Sequence, residues 1–418
     1  MKTKLFFLFF AALFLLSCSK DKVILMVPEG PNIDSSKLEY IWSMPLAEDT
    51  SEIWASNIII KDDGLVFTRV FAGPEKLLQK INTETLETEW FWDDVGYLDR
   101  GLDISQTSGF YKIENQLMFL GKKKFYFVDF DSGNTLYDYY LPEDLGTPRA
   151  FFQVFGNIAL TGTSYNTFQP DAAAHLLISR PLSSPFPDTV YSFYNTDGYK
   201  PSVPVTGVYI SEVGDTMLLF QNRQFRTDPY DDKIDLYHFN LTADTLVWVL
   251  EDFVEDGNSN VRAPIVHDGM VFFEGGRAVY GINLEEGKVV WKKEFGVPTS
   301  FHLSSNLLVV NDILIVNPEM AAVFGVDPKT GEVIWMNDTI EEGPTPMVEH
   351  EGIVYFTSGV KLYAINGTTG ETIWDEYSPN RFNIDVGSFF PQEVAIDPVK
   401  RIVYVSDRYM LHAIKMPE

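Results

Sequence analysis

The chain has 418 residues, 59 of them Asp or Glu against 32 Lys or Arg, for a formal charge of −27. A body this acidic repels nucleic acid and anionic lipid headgroups, so its own charge recruits neither. One cysteine excludes an internal disulfide, and 45% hydrophobic against 22% charged residues leaves enough apolar material for a large core.

The chain opens with Lys2 and Lys4, an apolar run from Leu5 to Leu16, and Ser17-Cys18. A basic start and an apolar stretch of this length, ending at a small residue, describe a secretory leader over residues 1–17; a membrane span needs roughly 20 apolar residues. Leu15-Leu16-Ser17-Cys18 resembles the lipobox of bacterial lipoproteins, which makes Cys18 the expected acyl acceptor and the membrane a partner through lipid. Loss of the first 17 residues removes two lysines and no acid, leaving −29. Residues 18–37, with Pro28, Gly30 and Pro31, read as a tether. Ser19 after the cysteine resembles outer-membrane sorting and implies the periplasmic face; Lys20-Asp21 resembles part of a surface-export signal, which keeps the cell surface open.

From residue 38 onward strands dominate. Ala263-Pro264-Ile265-Val266-His267, a turn at Asp268-Gly269, Met270 to Glu274, a turn at Gly275-Gly276, then Ala278 to Ile282 and Lys288 to Lys292 make four strands in a meander. The layout returns at Met347 to Trp374. Units of this kind cannot bury their own faces, so they must stack on copies of themselves, and closure into a ring removes the exposed ends. Aromatic residues mark the fourth strands: Trp42, Trp90, Tyr137, Tyr191, Trp248, Trp291, Trp335 and Trp374, 39 to 57 residues apart. The reading is an all-β, eight-bladed propeller over residues 38–418, with seven blades as the alternative because the middle repeats are degenerate. Three strands follow Trp374 without a fourth, and Leu38 to Trp42 is a fourth strand without its three. The N-terminal strand is therefore expected to complete the last blade.

Ala364-x-Asn366-x-x-x-Gly370-x-x-x-Trp374, with copies ending at Trp335 and Trp291, resembles the tryptophan-docking repeat of PQQ-like propellers. The Asp or Asn and the Gly suit a tight turn between third and fourth strands, where a short polar side chain and positive φ are wanted. The tryptophans Trp42, Trp90, Trp248, Trp291, Trp335 and Trp374 would then pack between blades. The resemblance points to a family that holds both quinoprotein dehydrogenases and non-enzymatic lipoproteins similar to BamB. The dehydrogenases carry a vicinal cysteine pair; here the one cysteine stands at residue 18, so the reading is not an enzyme, with no cofactor and no catalytic residue. Similarity to the lipoproteins implies a monomeric scaffold that binds an envelope protein through loops leading into first strands. Tyr97-Leu98-Asp99-Arg100-Gly101 is the best match to such a loop, which makes Leu98 and Arg100 candidate contacts, with Arg262 in a second. The alternative is a glycan- or ligand-binding surface lipoprotein using Tyr165, Phe168, Tyr194, Tyr199, Phe225 and Tyr230 as a stacking platform.

Six histidines stand singly, without zinc-site spacing, so no metal is assigned. Asp129-Phe130-Asp131-Ser132-Gly133-Asn134 looks like a calcium loop but falls where a third-to-fourth-strand turn belongs and lacks the distal bidentate Glu.

Overall fold

The protein is described from a computed structural model covering residues 38–417 apart from internal stretches, the longest being 95–109, 165–172, 255–261, 296–304 and 379–393. The leader, Cys18 and the tether lie outside the described residues. Among those described there are 33 strands and no α-helix. All strand pairs run antiparallel, in six four-stranded sheets and one of nine strands. Chain order within the sheets is the meander expected from the repeats: Ile265–His267, Met270–Gly275, Ala278–Asn283 and Lys288–Glu294 form one sheet, and Val348–His350, Ile353–Ser358, Lys361–Asn366 and Thr372–Tyr377 another.

The second and third strands carry apolar residues on both faces, as strands sandwiched between neighbouring sheets must. Met270–Gly275 is buried throughout. Among the described residues the buried apolar side chains fall into eight clusters, each shared by two successive four-strand meanders. The last of them joins Tyr355, Leu362 and Trp374 to Val403, Val405 and Ile414, and the first joins Tyr404, Leu411 and Ala413 to Leu65 and Phe67. Sheet stacks on sheet around a closed course, the arrangement of a β-propeller.

Each fourth strand carries a β-bulge one residue before its marker aromatic. Gly281 pairs with Trp291 and Ile282 with Val289, leaving Val290 as the extra residue. The same skip leaves out Ile334, Ile373, Val247, Leu136, Val190, Glu89 and Ile41. A bulge adds local twist and re-aims the following side chain, and here it swings the aromatic toward the next sheet. It also explains the outward apolar residues: Val290, Ile334 and Ile373 are exposed because the bulge expels them.

The aromatic then lands on the next sheet's third-to-fourth-strand turn. A Cβ added to Gly331 would lie 2.7 Å from the Trp291 ring, and one on Gly370 would lie 2.2 Å from Trp335. Both glycines have positive φ, 74° and 75°, so shape and backbone exclude a side chain together. The turn is built by the Asx residue four places earlier: Asp327 Oδ1 accepts the Lys329 and Thr330 amides at 2.7 and 3.1 Å, and the Gly331 amide donates to the Asp327 carbonyl at 2.9 Å. Asn366, Asn82 and Asp129 do the same. Asp129-Asn134 is thus a docking turn, with the Asp129 carboxyl held low by the Ser132 amide and other donors against the pull of burial. Leu86 and Asp244 occupy the glycine place in their turns and still take φ of 60° and 53°.

The indole nitrogen completes the dock where the turn offers a carbonyl. Trp90, Trp248 and Trp291 Nε1 donate to the Phe130, Leu284 and Pro328 carbonyls at 3.2, 2.8 and 2.9 Å. Trp335 and Trp374 Nε1 are buried without an acceptor among the described residues. For Trp374 the reason is topological, since the sheet it meets has no third-to-fourth-strand turn. That sheet is Ala395–Asp397, Ile402–Ser406 and Met410–Lys415, completed by Tyr40–Pro45 from the other end of the chain. Ser43 pairs with His412 and Met44 with Leu411, and the Leu46 and Lys415 amides donate to the Tyr409 and Glu39 carbonyls. The expected completion of the last blade by the N-terminal strand is observed.

The middle of the chain departs from the simple repeat. Thr147–Phe155 to Ser184–Phe193 and Thr206–Ile210 to Thr245–Leu250 are each a four-strand meander, but Lys200–Ser202 pairs with Ser164 on one side and with Arg223, Gln224 and Phe225 on the other, fusing both into nine strands. The hairpin of Thr216–Thr227 and Tyr230–Asn240 is longer than those of the other sheets, with pairing that runs from Met217–Asn240 out to Thr227–Tyr230.

Trp291→Phe removes a satisfied indole bond and strands the Pro328 carbonyl, whereas Trp374→Phe removes a buried donor that has no acceptor. With similar loss of ring volume, Trp291→Phe should be the more destabilising by about 1 to 2 kcal/mol, read as the shift in urea midpoint at equal m-value.

Candidate partner-binding face

Strand polarity divides the propeller into two faces. One carries the first-to-second and third-to-fourth-strand turns. The other carries the second-to-third-strand turns and the connections from each fourth strand to the next first strand. Of the three candidate contacts only Arg262 is described, and it lies on this loop face. Leu98 and Arg100 lie in the connection between Thr88–Trp92 and Phe110–Ile113, outside the described residues. Arg262 precedes Ile265–His267 and is half-buried. Its charge acts on Glu274, whose carboxyl burial pushes well above the usual carboxylate range while Arg262 pulls it back. Arg262 is therefore engaged with its own sheet.

Sequence reasoning missed a set of buried polar side chains at the loop-face ends of the second strands: Thr68, Glu274, Asn317, Thr357 and Ser406. They stand where an apolar run closes on a polar residue, as in Leu314-Ile315-Val316-Asn317, and that pattern is the signal that could have found them. Most anchor the first strands. Thr68 Oγ1 donates to the Ser56 carbonyl at 2.9 Å, Ser406 Oγ accepts the Ala55 amide of the neighbouring sheet at 2.9 Å, and Thr357 and Thr345 hydroxyls meet at 2.9 Å. Asn317 differs, since among the described residues neither its Nδ2 nor its Oδ1 has a hydrogen-bond partner.

Asp407, next to Ser406, ties the closing sheet together. Its Oδ2 accepts from Ser378 Oγ of the preceding sheet at 3.0 Å and lies 3.1 Å from His412 Nε2, and His412 Nδ1 is 2.8 Å from Ser43 Oγ on the N-terminal strand. Burial pushes the Asp407 carboxyl up, but His412 and the Tyr409 and Met410 amides outweigh it and hold the group below its ordinary value.

The aromatic platform expected from the sequence is only partly described: Tyr165 and Phe168 lie outside the described residues. Tyr194 is 67% exposed, but Tyr199 has Arg226 and Lys233 at 4.7 and 4.9 Å from its ring, and Lys200 stands 6.0 Å from Phe225. Of the Tyr230 side chain nothing is described.

The turn face holds a groove of about 620 Å³ between the sheets of residues 265–294 and 308–337, lined by His267, Asp268, Asp312, Asp327, Lys329 and Ile334. Polar side chains bridge the gap, His267 Nε2 to Asp312 at 3.0 Å and Lys329 to Asp268 at 2.8 Å. Among the described residues no group of three or more His, Cys, Asp or Glu is placed to hold a metal ion. Among the described residues no helix is long and apolar enough to cross a membrane.

Bulged fourth strands, Asx–Gly turns and tryptophans docked from sheet to sheet define a PQQ-like β-propeller. The family model described as outer membrane protein assembly factor BamB matches residues 236–343, the stretch in which Trp248, Trp291 and Trp335 dock. No curated protein sequence matches the chain significantly. Among solved structures, BamB from Moraxella catarrhalis superposes with a TM-score of 0.57 at 13% identity, covering 91% of this chain and 100% of that one. The quinohemoprotein alcohol dehydrogenase from Comamonas testosteroni gives 0.65 at 10% identity, covering 91% and 78%, and a europium-containing methanol dehydrogenase 0.64 at 9%, covering 90% and 86%. At such identities the likeness is one of fold, which these enzymes and BamB share.

His238 supplies a titration test. It is buried beside Trp248, 4.9 Å between ring centroids, with Nε2 2.7 Å from Tyr209 Oη and no partner at Nδ1. Burial pushes its pKa down to about 4 from 6.5. The unfolded chain therefore binds a proton that the folded chain refuses between those values, so His238 subtracts stability as pH falls from about 6.5 to 4. His238→Gln should flatten the pH dependence across that window by about 1 to 3 kcal/mol, measured by urea unfolding at pH 7 and pH 4.5; an unchanged slope would contradict the buried neutral imidazole.

Proposed function

We propose that this protein is a lipid-anchored, non-enzymatic scaffold on the periplasmic face of the outer membrane, an eight-bladed propeller that binds an envelope protein in a role like that of BamB in outer membrane protein assembly. The observation that carries the reading is the BamB family match over residues 236–343, inside a propeller that BamB superposes on over its whole length. Eight bulged fourth strands and eight inter-sheet clusters support the blade number, the nine-stranded sheet counting as two blades bridged by Lys200–Ser202. The anchor is Cys18, the only cysteine, at the end of the leader. With that cysteine acylated, none remains to form the vicinal pair of the dehydrogenases, which supports a non-enzymatic role.

The partner contacts are assigned to the loop face, with Leu98 and Arg100 as the leading pair and Arg262 as a residue that shapes its loop through Glu274. Exposed substitutions change stability by less than about 0.5 kcal/mol, whereas a central interface anchor contributes about 2 kcal/mol or more. Leu98→Asp combined with Arg100→Glu should therefore weaken copurification of an outer-membrane β-barrel from solubilised membranes at unchanged melting temperature. Cys18→Ala should abolish acyl labelling. A folded double variant that captures the barrel as well as wild type removes this loop, and a wild type that retains glycan but no barrel turns the assignment to a ligand-binding surface lipoprotein.

A further inference from the structure

The closing sheet fixes where the chain's anchored end leaves the propeller. Tyr40 pairs with Ile414, Lys415 pairs with Ile402, and Ile402 pairs with Asp397. The start of the N-terminal strand, the end of Met410–Lys415 and the turn between Ala395–Asp397 and Ile402–Ser406 therefore share one end of one sheet, on the turn face. The turn is tied to the chain ends directly. The Met416 amide donates to the Arg401 carbonyl at 2.9 Å, the Arg401 guanidinium donates to the Pro417 carbonyl at 2.8 Å, and Lys415 pairs with Glu39 at 3.0 Å.

Asp397 Oδ1 accepts the Val399 and Lys400 amides at 3.0 and 2.9 Å and holds the bend rigid. Val399 at its tip is 91% exposed, a bare apolar side chain beside Pro398. Lys400 and Arg401 reach sideways to Asp63 at 2.6 Å and Glu351 at 2.7 Å in the flanking sheets. Lys400 and Arg401 thereby offset Asp63 and Glu351 and leave the Asp397 carboxylate over, so in a chain of charge −27 most of the charge at this corner is paired and an anionic headgroup meets little more than one net negative charge here.

We propose that the Asp397–Arg401 turn is the membrane-proximal corner of the propeller, with Val399 meeting the lipid headgroup layer and the loop face held away from the bilayer. This rests on the reading of Cys18 as acylated. A 19-residue tether, the expectation read from the sequence of residues 19–37, would have a root-mean-square span of about 25 Å, and the strands between the faces run about 20 Å. The corner where the tether joins is on average the nearest part of the body, and the loop face is reached from the bilayer only by running the tether back along the closing sheet. A protein partner then meets the loops from the side facing away from the lipid.

The test uses the full-length acylated protein on vesicles of phosphatidylethanolamine and phosphatidylglycerol containing a nitroxide-labelled lipid, with a fluorophore on single introduced cysteines. Val399→Cys probes the corner, Val213→Cys an 84% exposed position on the turn face of another sheet, and Asp338→Cys the loop-face end of a fourth strand. All three are exposed, so the fold is retained. Quenching at residue 399 should exceed that at 213 and 338 by at least twofold. Equal quenching at 399 and 338, or stronger quenching at 338, in protein that floats with the vesicles overturns the orientation and leaves the anchor intact. Wild type that does not float removes the anchor and the inference with it.

Discussion

A tryptophan laid against a glycine of the next sheet is the contact on which this fold depends. Flat sheets with apolar faces can slide on one another, since the hydrophobic effect is non-directional. The dock removes that freedom. Trp291 is pinned between Gly281 of its own sheet and Gly331 of the next, each too close to the ring to admit a Cβ, while its nitrogen bonds the Pro328 carbonyl. The bulge before the tryptophan and the Asx turn beneath it are both devices for bringing ring and glycine into register. Because the same device recurs from sheet to sheet, small errors of angle do not accumulate, and the course of sheets returns to its starting point.

Closure is the place where the device runs out. The last sheet has no third-to-fourth-strand turn, so Trp374 finds apolar partners, Leu38 and Met416 among them, but no carbonyl for its indole. A polar network takes over the work of registration. Ser406 and Asp407, adjacent in the chain, reach the following and the preceding sheet, and His412 carries the connection to Ser43 on the N-terminal strand. Buried polar groups cost stability when unsatisfied and add directionality when paired. Tyr40 shows the first half of that rule: its buried hydroxyl has no partner among the described residues, and burial together with the nearby Glu376 and Asp407 charges pushes its pKa up.

The fold was legible because its constraint is periodic. The eight aromatics, the Asx–Gly turns and the split last blade could be read from spacing alone, and Tyr137 and Tyr191 keep the register of the tryptophans they replace. The bridging strand Lys200–Ser202 was not legible, because three residues carry no period of their own and their pairing depends on a hairpin lengthened elsewhere. Trp92 was missed for a related reason. It lies two residues beyond Trp90, outside the repeat, yet it is fully buried, with its ring edge-on to Phe119 and Tyr126 and Nε1 2.9 Å from Thr135. The candidate contacts were the least legible, since loops that meet a partner obey the partner's surface and no internal period. Of Leu98, Arg100 and Arg262, only Arg262 falls among the described residues, and its chemistry points inward to Glu274.

A propeller of this kind is a frame shared by proteins of different function, since BamB and an alcohol dehydrogenase both superpose on it. The frame's claim is that a strand from the far end of the chain locks the ring as firmly as any repeat does. Native-state hydrogen exchange tests this most directly, by comparing the Leu46 and Lys415 amides across the seam with the amides of Val323–Val326 inside a continuous sheet. The account predicts that both sets exchange only through the same global opening, with equal free energies and equal denaturant dependence. Seam amides that exchange through a local opening, several kcal/mol cheaper and insensitive to denaturant, would contradict it.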